Sequence, residues 1–223
     1  MEFLHKFHTD CEAYTGYPGN HNFYVCKGKM KPNRRLRSRY TLISSHYPNN
    51  MRSFLDLSAS RGYFVLSASE HPHCERSMGI DVSVNEIQIC NKLKEQFNLD
   101  KSQFEVMTLE TLANSIENFG GKFQTVLLAN TYQYLYFGSD FAPGYASHEK
   151  IFEYISKVCA QRFIFTNRVE MKHCQNTRQV NTAGDLASHY NRQEILKAAS
   201  KYFHLVAEDT IGKYPLWVFD RSK

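Results

Sequence analysis

The sequence predicts an α/β protein built on a mostly parallel sheet with helices on both faces. Two observations carry that expectation. Short, nearly continuous apolar segments alternate with segments of helical periodicity through residues 51–203, the pattern of strands buried on both faces and linked by helices. The connections are expected to be right-handed crossovers. The last two apolar segments, HLVAEDT and YPLWVFD, are separated only by IGK, which predicts an antiparallel hairpin at the end of the sheet.

Residues 1–32 read as irregular, with GYPGN and KPN as turn signals. Asn33 is placed to cap a helix over RRLRSRYTLISSHY, with Leu36, Tyr40, Leu42 and Ile43 as its apolar stripe, and HYPNN ends it. MRSFLDL (51–57) reads as a buried strand and GYFVLSASEH (62–71) as a helix. RSMGID (76–81) is a second strand, followed by a helix over 84–97 with Ile87, Cys90 and Leu93 on one face. FEVMT (104–108) and LETLANSIENF (109–119) form the third strand and helix. GGKFQTVLLAN (120–130) gives a turn and a fourth strand. Residues 146–159 form an amphipathic helix with Ile151, Tyr154, Ile155 and Val158 inward, and RFIFT (162–166) is the fifth strand. The polar stretch 167–190 is long for a loop in a compact domain, a length usual for functional segments. A helix over 191–203, capped by Asn191, leads into the hairpin.

The 223 residues suit one large domain, and 42% hydrophobic with 22% charged residues fits an ordinary globular core. No apolar run approaches the ~20 residues of a membrane span, and acids and histidines interrupt the N-terminal stretch MEFLHKFHTDCEAY. A soluble, cytoplasmic protein with no membrane partner is expected. Cys11, Cys26, Cys74, Cys90, Cys159 and Cys174 are widely spaced without a C-x-x-C, so free thiols are expected. HPHC (71–74) and His173-Cys174 lack the paired spacing of a zinc site, and no metal is expected.

The net charge of +5 is local. Residues 27–39, KGKMKPNRRLRSR, hold seven basic residues and no acid, so the rest of the chain stands at −2. The segment reads either as a solvated face or as a site for an anion, RNA or a phosphorylated small molecule. No base-reading motif accompanies it.

In an open α/β sheet the ligand lies beyond the C-terminal strand ends. The candidates are Asp56, Ser58, Ala59, Ser60 and Gly62 after the first strand and Asp81 after the second. Met107, Thr108 and Leu109 follow the third, and Asn130, Thr131, Tyr132 and Gln133 the fourth. Asp81 lies 25 residues after Asp56. It suits the two hydroxyls of a ribose, or equally a turn acid capping the next helix through Val82 and Ser83.

From about residue 33 onward the chain resembles the class I S-adenosylmethionine-dependent methyltransferases. Asp56-Leu57-Ser58-Ala59-Ser60-Arg61-Gly62 is similar to their D-x-G-x-G-x-G motif with serine at the first two glycines. Gly79-Ile80-Asp81 matches the acidic end of their second strand, and FQTVLLANTYQYL (123–135) their fourth-strand motif, with Gln124 in place of an acid. The terminal hairpin fits as well. It does not suit a nicotinamide-dependent oxidoreductase, and no G-x-G-x-x-G is present.

The resemblance implies a Rossmann-like three-layer sandwich with a mostly parallel seven-stranded sheet. Residues 1–50 would be a substrate lid and 51–223 the domain binding S-adenosyl-L-methionine. The Ser58–Gly62 backbone would face the methionine part of the cofactor. Asp81 would hold its ribose, with Val82, Thr108 and Leu109 around the adenine. Asn130 and Tyr132 would lie near the methyl group. Arg39 would pair with the carboxylate, or else belong to the basic face. Serine costs little at ordinary φ and adds a hydroxyl. At positive φ it is strained by roughly 1–2 kcal/mol. Tyr132, Tyr134 and Tyr136 either approach the sulfonium by cation–π contact or are buried under the next helix. For a hydroxyl acceptor, His148, Glu170 and His173 are candidate bases. The activity implied is methyl transfer to a small molecule or sugar hydroxyl. The alternatives are an RNA methyltransferase of tRNA type using residues 27–39, or a non-catalytic adaptor.

Overall fold

The structure, a computed structural model, describes residues 11–15, 22–174 and 184–222. Strands β4 (Ser53–Asp56), β5 (Arg76–Asp81), β6 (Ser102–Val106), β7 (Phe123–Ala129) and β8 (Cys159–Thr166) run parallel. With β9 (Phe203–Ile211) and β10 (Tyr214–Arg221) they form a seven-stranded sheet in the order β6-β5-β4-β7-β8-β10-β9. Only β10 is reversed, antiparallel to both neighbours. The chain winds outward from β4 to β6, then returns to β7 on the other side of β4. That reversal opens a crevice between the C-terminal ends of β4 and β7.

The two faces separate by strand alternation. Leu55, Met78, Val126, Leu128, Phe163 and Trp217 enter one core, against α4 (Leu109–Asn114), α5 (Tyr132–Phe137), α6 (His148–Val158) and α8 (Arg192–Ala199). Phe54, Leu127, Ile164 and Leu216 enter the other, against α1 (Arg34–Ser44), α2 (Tyr63–Ser69) and α3 (Val84–Phe97). These neighbours in sequence point to opposite cores because the strand period is two. The result is the expected three-layer sandwich.

Helix starts follow the sequence. Asn33 Oδ1 accepts the Leu36 N–H at 2.9 Å, and Asn191 Oδ1 accepts the Glu194 N–H at 3.0 Å. Other boundaries moved. The helix expected over 109–119 is broken at Ser115 (φ −126°) into α4 and a 3-10 turn, Ile116–Phe119. Tyr132–Phe137, beginning in NTYQY (130–134) where a polar turn was expected after the fourth strand, forms α5. Within the expected polar loop 167–190, Met171–His173 is a 3-10 turn and Leu186–His189 forms α7. The rest of that expectation, 175–183, lies outside the described residues.

The N-terminal region is the main correction. Instead of irregular chain, β1 (Cys11–Thr15), β2 (Asn22–Cys26) and β3 (Lys29–Pro32) form an antiparallel sheet. Lys27 and Gly28 turn β2 into β3 with φ of +51° and +69°. Positive φ at both turn residues is the geometry of a two-residue hairpin, and lysine is not a residue that announces it. Phe23 and Val25 of β2 share a core with α1 and α2. The expectation of free thiols fails at Cys26, which is disulfide-bonded. Cys11 faces it in the β1–β2 register, and Cys74, Cys90, Cys159 and Cys174 are free. Among the described residues no helix is long and apolar enough to cross a membrane.

Candidate cofactor and acceptor site

The loop after β4 is held by three hydrogen bonds to its two flanking strands. Leu57 N–H donates to Leu127 O at 3.0 Å, and Ala59 N–H to Ile80 O at 2.9 Å. The Ser58 hydroxyl donates to Ala129 O at 3.3 Å. The loop thus bridges β5 and β7 across the end of β4. Gly79 makes that crossing possible: a Cβ there would lie 2.6 Å from Ala59 Cβ and 2.9 Å from Val65 Cγ2.

The two serines differ. Ser58 is absent from the positive-φ residues, whereas Ser60 has φ +46°. The second substituted position is therefore the strained one, at a cost of roughly 1–2 kcal/mol. Its surroundings offset that cost. Ser60 N–H donates to Asp81 Oδ2 at 3.0 Å, Ser60 O accepts the Cys90 thiol at 3.1 Å, and Ser60 Oγ lies 3.4 Å from Glu86 Oε2. Arg61 pairs with the same Glu86 oxygen at 2.8 Å. Gly62 has φ +78°, and a Cβ there would meet Cys90 Sγ and Phe104 Cζ at 3.0 Å. Its glycine is required by the packing of α2 on α3 and β6, a reason other than approach to a ligand.

Asp81 joins two loops. Oδ2 takes Ser60 N–H and Oδ1 takes Ser83 N–H, each at 3.0 Å. Asp81 thus braces the turn before α3, whose N-cap is Ser83 through the Glu86 N–H; each Asp81 oxygen keeps acceptor capacity, and the residue lines a cavity.

That cavity measures about 640 Å³ and lies in the switch-point crevice. Ser58, Ser60, Asp81, Val82, Thr108, Leu109 and Asn130 all line it, as do Met107 and Thr131. Thr108 also caps α4 through Thr111 N–H at 3.2 Å. Asn130 ends β7 at φ +60°. The remaining wall is formed by Tyr134, Leu135, the 139–143 loop, Tyr145 and Arg168. A second groove of about 640 Å³ flanks edge strand β6, lined by Lys94, Lys101 and Arg76. It lies away from the C-terminal strand ends, and Arg76 there bonds the carbonyls of Phe119, Gly121 and Lys122.

Asp56 and Arg39 stand behind the loop, outside the cavity lining. Asp56 is 2% exposed, and burial pushes its carboxyl up to about 7, against the Ser58 N–H and Arg39. Burial likewise lowers Arg39 to about 10, partly opposed by Asp56 and Tyr214. Arg39 therefore leaves the basic face and points inward, its Nε and Nη2 buried without hydrogen-bond partners among the described residues.

The three residues expected to be catalytic do not line the cavity. Tyr132 and Tyr136 share one face of α5 and are buried; Tyr134, on the opposite face, reaches the cavity. The burial alternative thus holds for Tyr132 and Tyr136, and the helical period sends Tyr134 to the other face. Tyr132 donates its hydroxyl to His148 Nδ1 at 2.6 Å, and His148 Nε2 donates to His189 O at 3.0 Å. His148 stacks on Tyr136 with centroids 4.3 Å apart. Burial pushes the Tyr132 hydroxyl up and the His148 imidazole down, so the pair is neutral and structural. His173 packs edge-on to Tyr214 in the 3-10 turn, and Glu170 pairs with Lys172. Gln124 braces the strand starts, accepting Arg52 N–H at 2.6 Å and donating to Gln161 at 2.8 Å.

Sequence reasoning missed Asn167. Fully buried, its Oδ1 accepts Thr131 and Tyr132 N–H at 2.6 and 2.9 Å, and its Nδ2 donates to Leu128 O at 2.8 Å. It fixes the start of α5 from the end of β8. Its only sequence signal was an asparagine directly after an apolar strand. Among the described residues, no group of three or more His, Cys, Asp or Glu could hold a metal.

The sheet order, the reversed β10 and the crevice define the Rossmann-like fold of class I S-adenosylmethionine-dependent methyltransferases. The N-methyltransferase NodS from Bradyrhizobium japonicum WM9 aligns over 86% of this chain and 98% of its own, with TM-score 0.61 and 15% identity. NodS in complex with S-adenosyl-L-homocysteine aligns over 86% and 89%, with TM-score 0.58 and 14% identity. The PH0226 protein from Pyrococcus horikoshii OT3 aligns over 85% and 92%, with TM-score 0.62 and 17% identity. No protein-family model and no curated protein matches the sequence.

Proposed function

We propose that this protein is a methyltransferase that uses S-adenosyl-L-methionine and acts on a small-molecule acceptor. The observation that supports it best is Asp81: a cavity-lining carboxylate tied to the β4 loop, with acceptor capacity left on both oxygens.

The residues present fit the cofactor. Asp81 accepts the ribose hydroxyls. Val82, Met107 and Leu109 enclose the adenine with apolar surface. Arg39, carrying buried donors without partners among the described residues and next to Asp56, neutralises the carboxylate from behind the loop. When bound, the cofactor supplies a methyl group already activated by its sulfonium. The protein then needs chiefly to orient the acceptor in line and exclude water. Tyr134, Leu135 and the 139–143 loop do this beside Asn130. A cavity of about 640 Å³ suits a cofactor together with a small acceptor.

Titration calorimetry with S-adenosyl-L-homocysteine tests the reading. Micromolar binding that weakens at least ~10-fold in Asp81→Ala supports it. Absence of binding at millimolar ligand would sink it and leave the adaptor alternative.

A second reading rests on the basic residues of the β2–β3 hairpin and the first turns of α1. Lys27, Lys29, Lys31, Arg34, Arg35 and Arg37 are all exposed, and none forms an ion pair among the described residues. An RNA acceptor would use this face. Anisotropy with an RNA oligonucleotide should then show affinity falling steeply between 50 and 200 mM salt, as roughly 0.7 counterions are released per single-strand phosphate contact. Salt-independent or absent binding removes the reading.

A further inference from the structure

Arg168 is the one cation among the described residues that line the cavity, and the functional reading above leaves it unused. The acids lining the cavity have partners. Asp81 takes two backbone N–H groups, Glu86 pairs with Arg61, Glu110 accepts from Tyr154 and lies 3.8 Å from Lys150, and Asp140 is also engaged. Arg168 forms no ion pair among the described residues. Its Nε donates to the Tyr214 hydroxyl at 3.3 Å, and its guanidinium lies over the Tyr214 ring at 5.8 Å. Nη1 and Nη2 have no hydrogen-bond partner among the described residues. Burial opposes the charge, but the Tyr214 hydroxyl and ring hold the guanidinium above its ordinary pKa, so it stays cationic.

Its position is fixed at both flanks. The preceding Asn167 is bonded into the start of α5, and Tyr190 donates its hydroxyl to Arg168 O at 2.7 Å. Arg168 follows β8, while Asp81 ends β5, three strand spacings away across the sheet, about 14 Å. It therefore belongs to the acceptor end of the crevice, beside Asn130 and Thr131. There the wall is apolar: Tyr134, Leu135, Pro143 and Phe141, which is 69% exposed.

We propose that Arg168 is the acceptor-anchoring residue and that the acceptor is a small ring-bearing carboxylate. Its two unpartnered Nη groups take the carboxylate, and Tyr134 and Phe141 take the ring. Stacking on Tyr214 with Nε already engaged leaves the outer edge of the guanidinium free, the edge that binds a planar carboxylate through two parallel bonds. This rests on the methyltransferase reading for its meaning, but not for its measurement.

The test compares benzoate with its neutral isostere benzamide, by ligand-observed NMR, on the protein alone and saturated with S-adenosyl-L-homocysteine. Benzoate should bind roughly 10-fold tighter or better, as expected for a charge-assisted pair. Arg168→Gln should abolish the preference while leaving S-adenosyl-L-homocysteine affinity within about twofold of wild type. If Arg168→Gln does not fold, Arg168→Lys serves, and its preference should shrink because an ammonium cannot offer two parallel donors. Equal binding of the two probes to wild type, or a preference that survives in Arg168→Gln, overturns the proposal. A benzoate preference without any S-adenosyl-L-homocysteine binding supports the anion site and retires the methyltransferase reading, so the two fail separately.

Discussion

The Ser60 N–H donates to Asp81 Oδ2 at 3.0 Å, joining the loop after β4 to the end of β5. One carboxylate thereby holds a strained serine, braces the turn into α3 through the Ser83 N–H, and lines the cavity.

Asp81→Ala removes all three at once. Two charge-assisted bonds to backbone N–H groups are lost, so chemical denaturation should show a loss of about 2–4 kcal/mol. Asp81→Asn keeps acceptors and should lose less. Equal stability of wild type and Asp81→Ala in urea would contradict the bridging role.

Ser60→Gly and Ser58→Gly should differ. Ser60 has φ +46° and glycine relieves it, offsetting the roughly 0.5–1 kcal/mol that glycine costs in the unfolded chain. Stability should then stay within about 1 kcal/mol of wild type. Ser58→Gly gains no such relief and gives up the bond to Ala129 O, a loss of about 1–2 kcal/mol. Urea midpoints in the reverse order would show that the Ser60 hydroxyl matters more than its backbone.

Gly79→Ala places a Cβ 2.6 Å from Ala59 Cβ. The loop must shift to admit it, at a cost of about 1–3 kcal/mol. Because Ala59 lies between Ser58 and Ser60, S-adenosyl-L-homocysteine affinity should fall too. Calorimetry on a variant that still melts cooperatively separates the two effects.

Tyr132→Phe leaves His148 Nδ1 without its donor in a buried setting, costing about 1–3 kcal/mol. Cofactor affinity should not change, because neither ring lines the cavity. A large loss of S-adenosyl-L-homocysteine binding at unchanged stability would return Tyr132 to the site.

His148 also sets a pH dependence. Its folded pKa is depressed by burial, so the unfolded chain takes up the proton first. Its contribution is present above the ordinary histidine value, near 6.5, and is lost as pH falls below it. Asp56 acts in the opposite sense: its carboxyl is raised from 3.8 to about 7, so its contribution is full below pH 3.8 and lost as pH rises to about 7. The difference between wild type and His148→Asn isolates the first effect. It should narrow as pH falls below 6.5; a constant difference from pH 8 to pH 5 would show that His148 takes up its proton equally in the folded and unfolded states, so that burial does not depress it.

The strands of the seven-stranded sheet, most helices and the residues that follow the strand ends were legible because each rests on a local rule. Buried strands need apolar runs, helix starts need a capping side chain, and crevice residues follow strand ends. The β2–β3 hairpin was not legible, because Lys27 adopts positive φ without being a turn former. The helix after β7 was not legible because NTYQYLYF carries no side-chain cap at Thr131. Its start is held instead by Asn167, 35 residues from Tyr132.

By itself the sequence determined the layer order of strands and helices and the line of residues that meet at the switch point. Those follow from periodicity and chain order, properties of neighbouring residues. Tertiary structure decided what each group does there. It turned Arg39 inward toward Asp56, sealed Tyr132 and His148 into the core, assigned strain to Ser60 but not Ser58, and placed Arg168 opposite Asp81. Burial, φ and partner geometry depend on residues far apart in the chain, which no local pattern records.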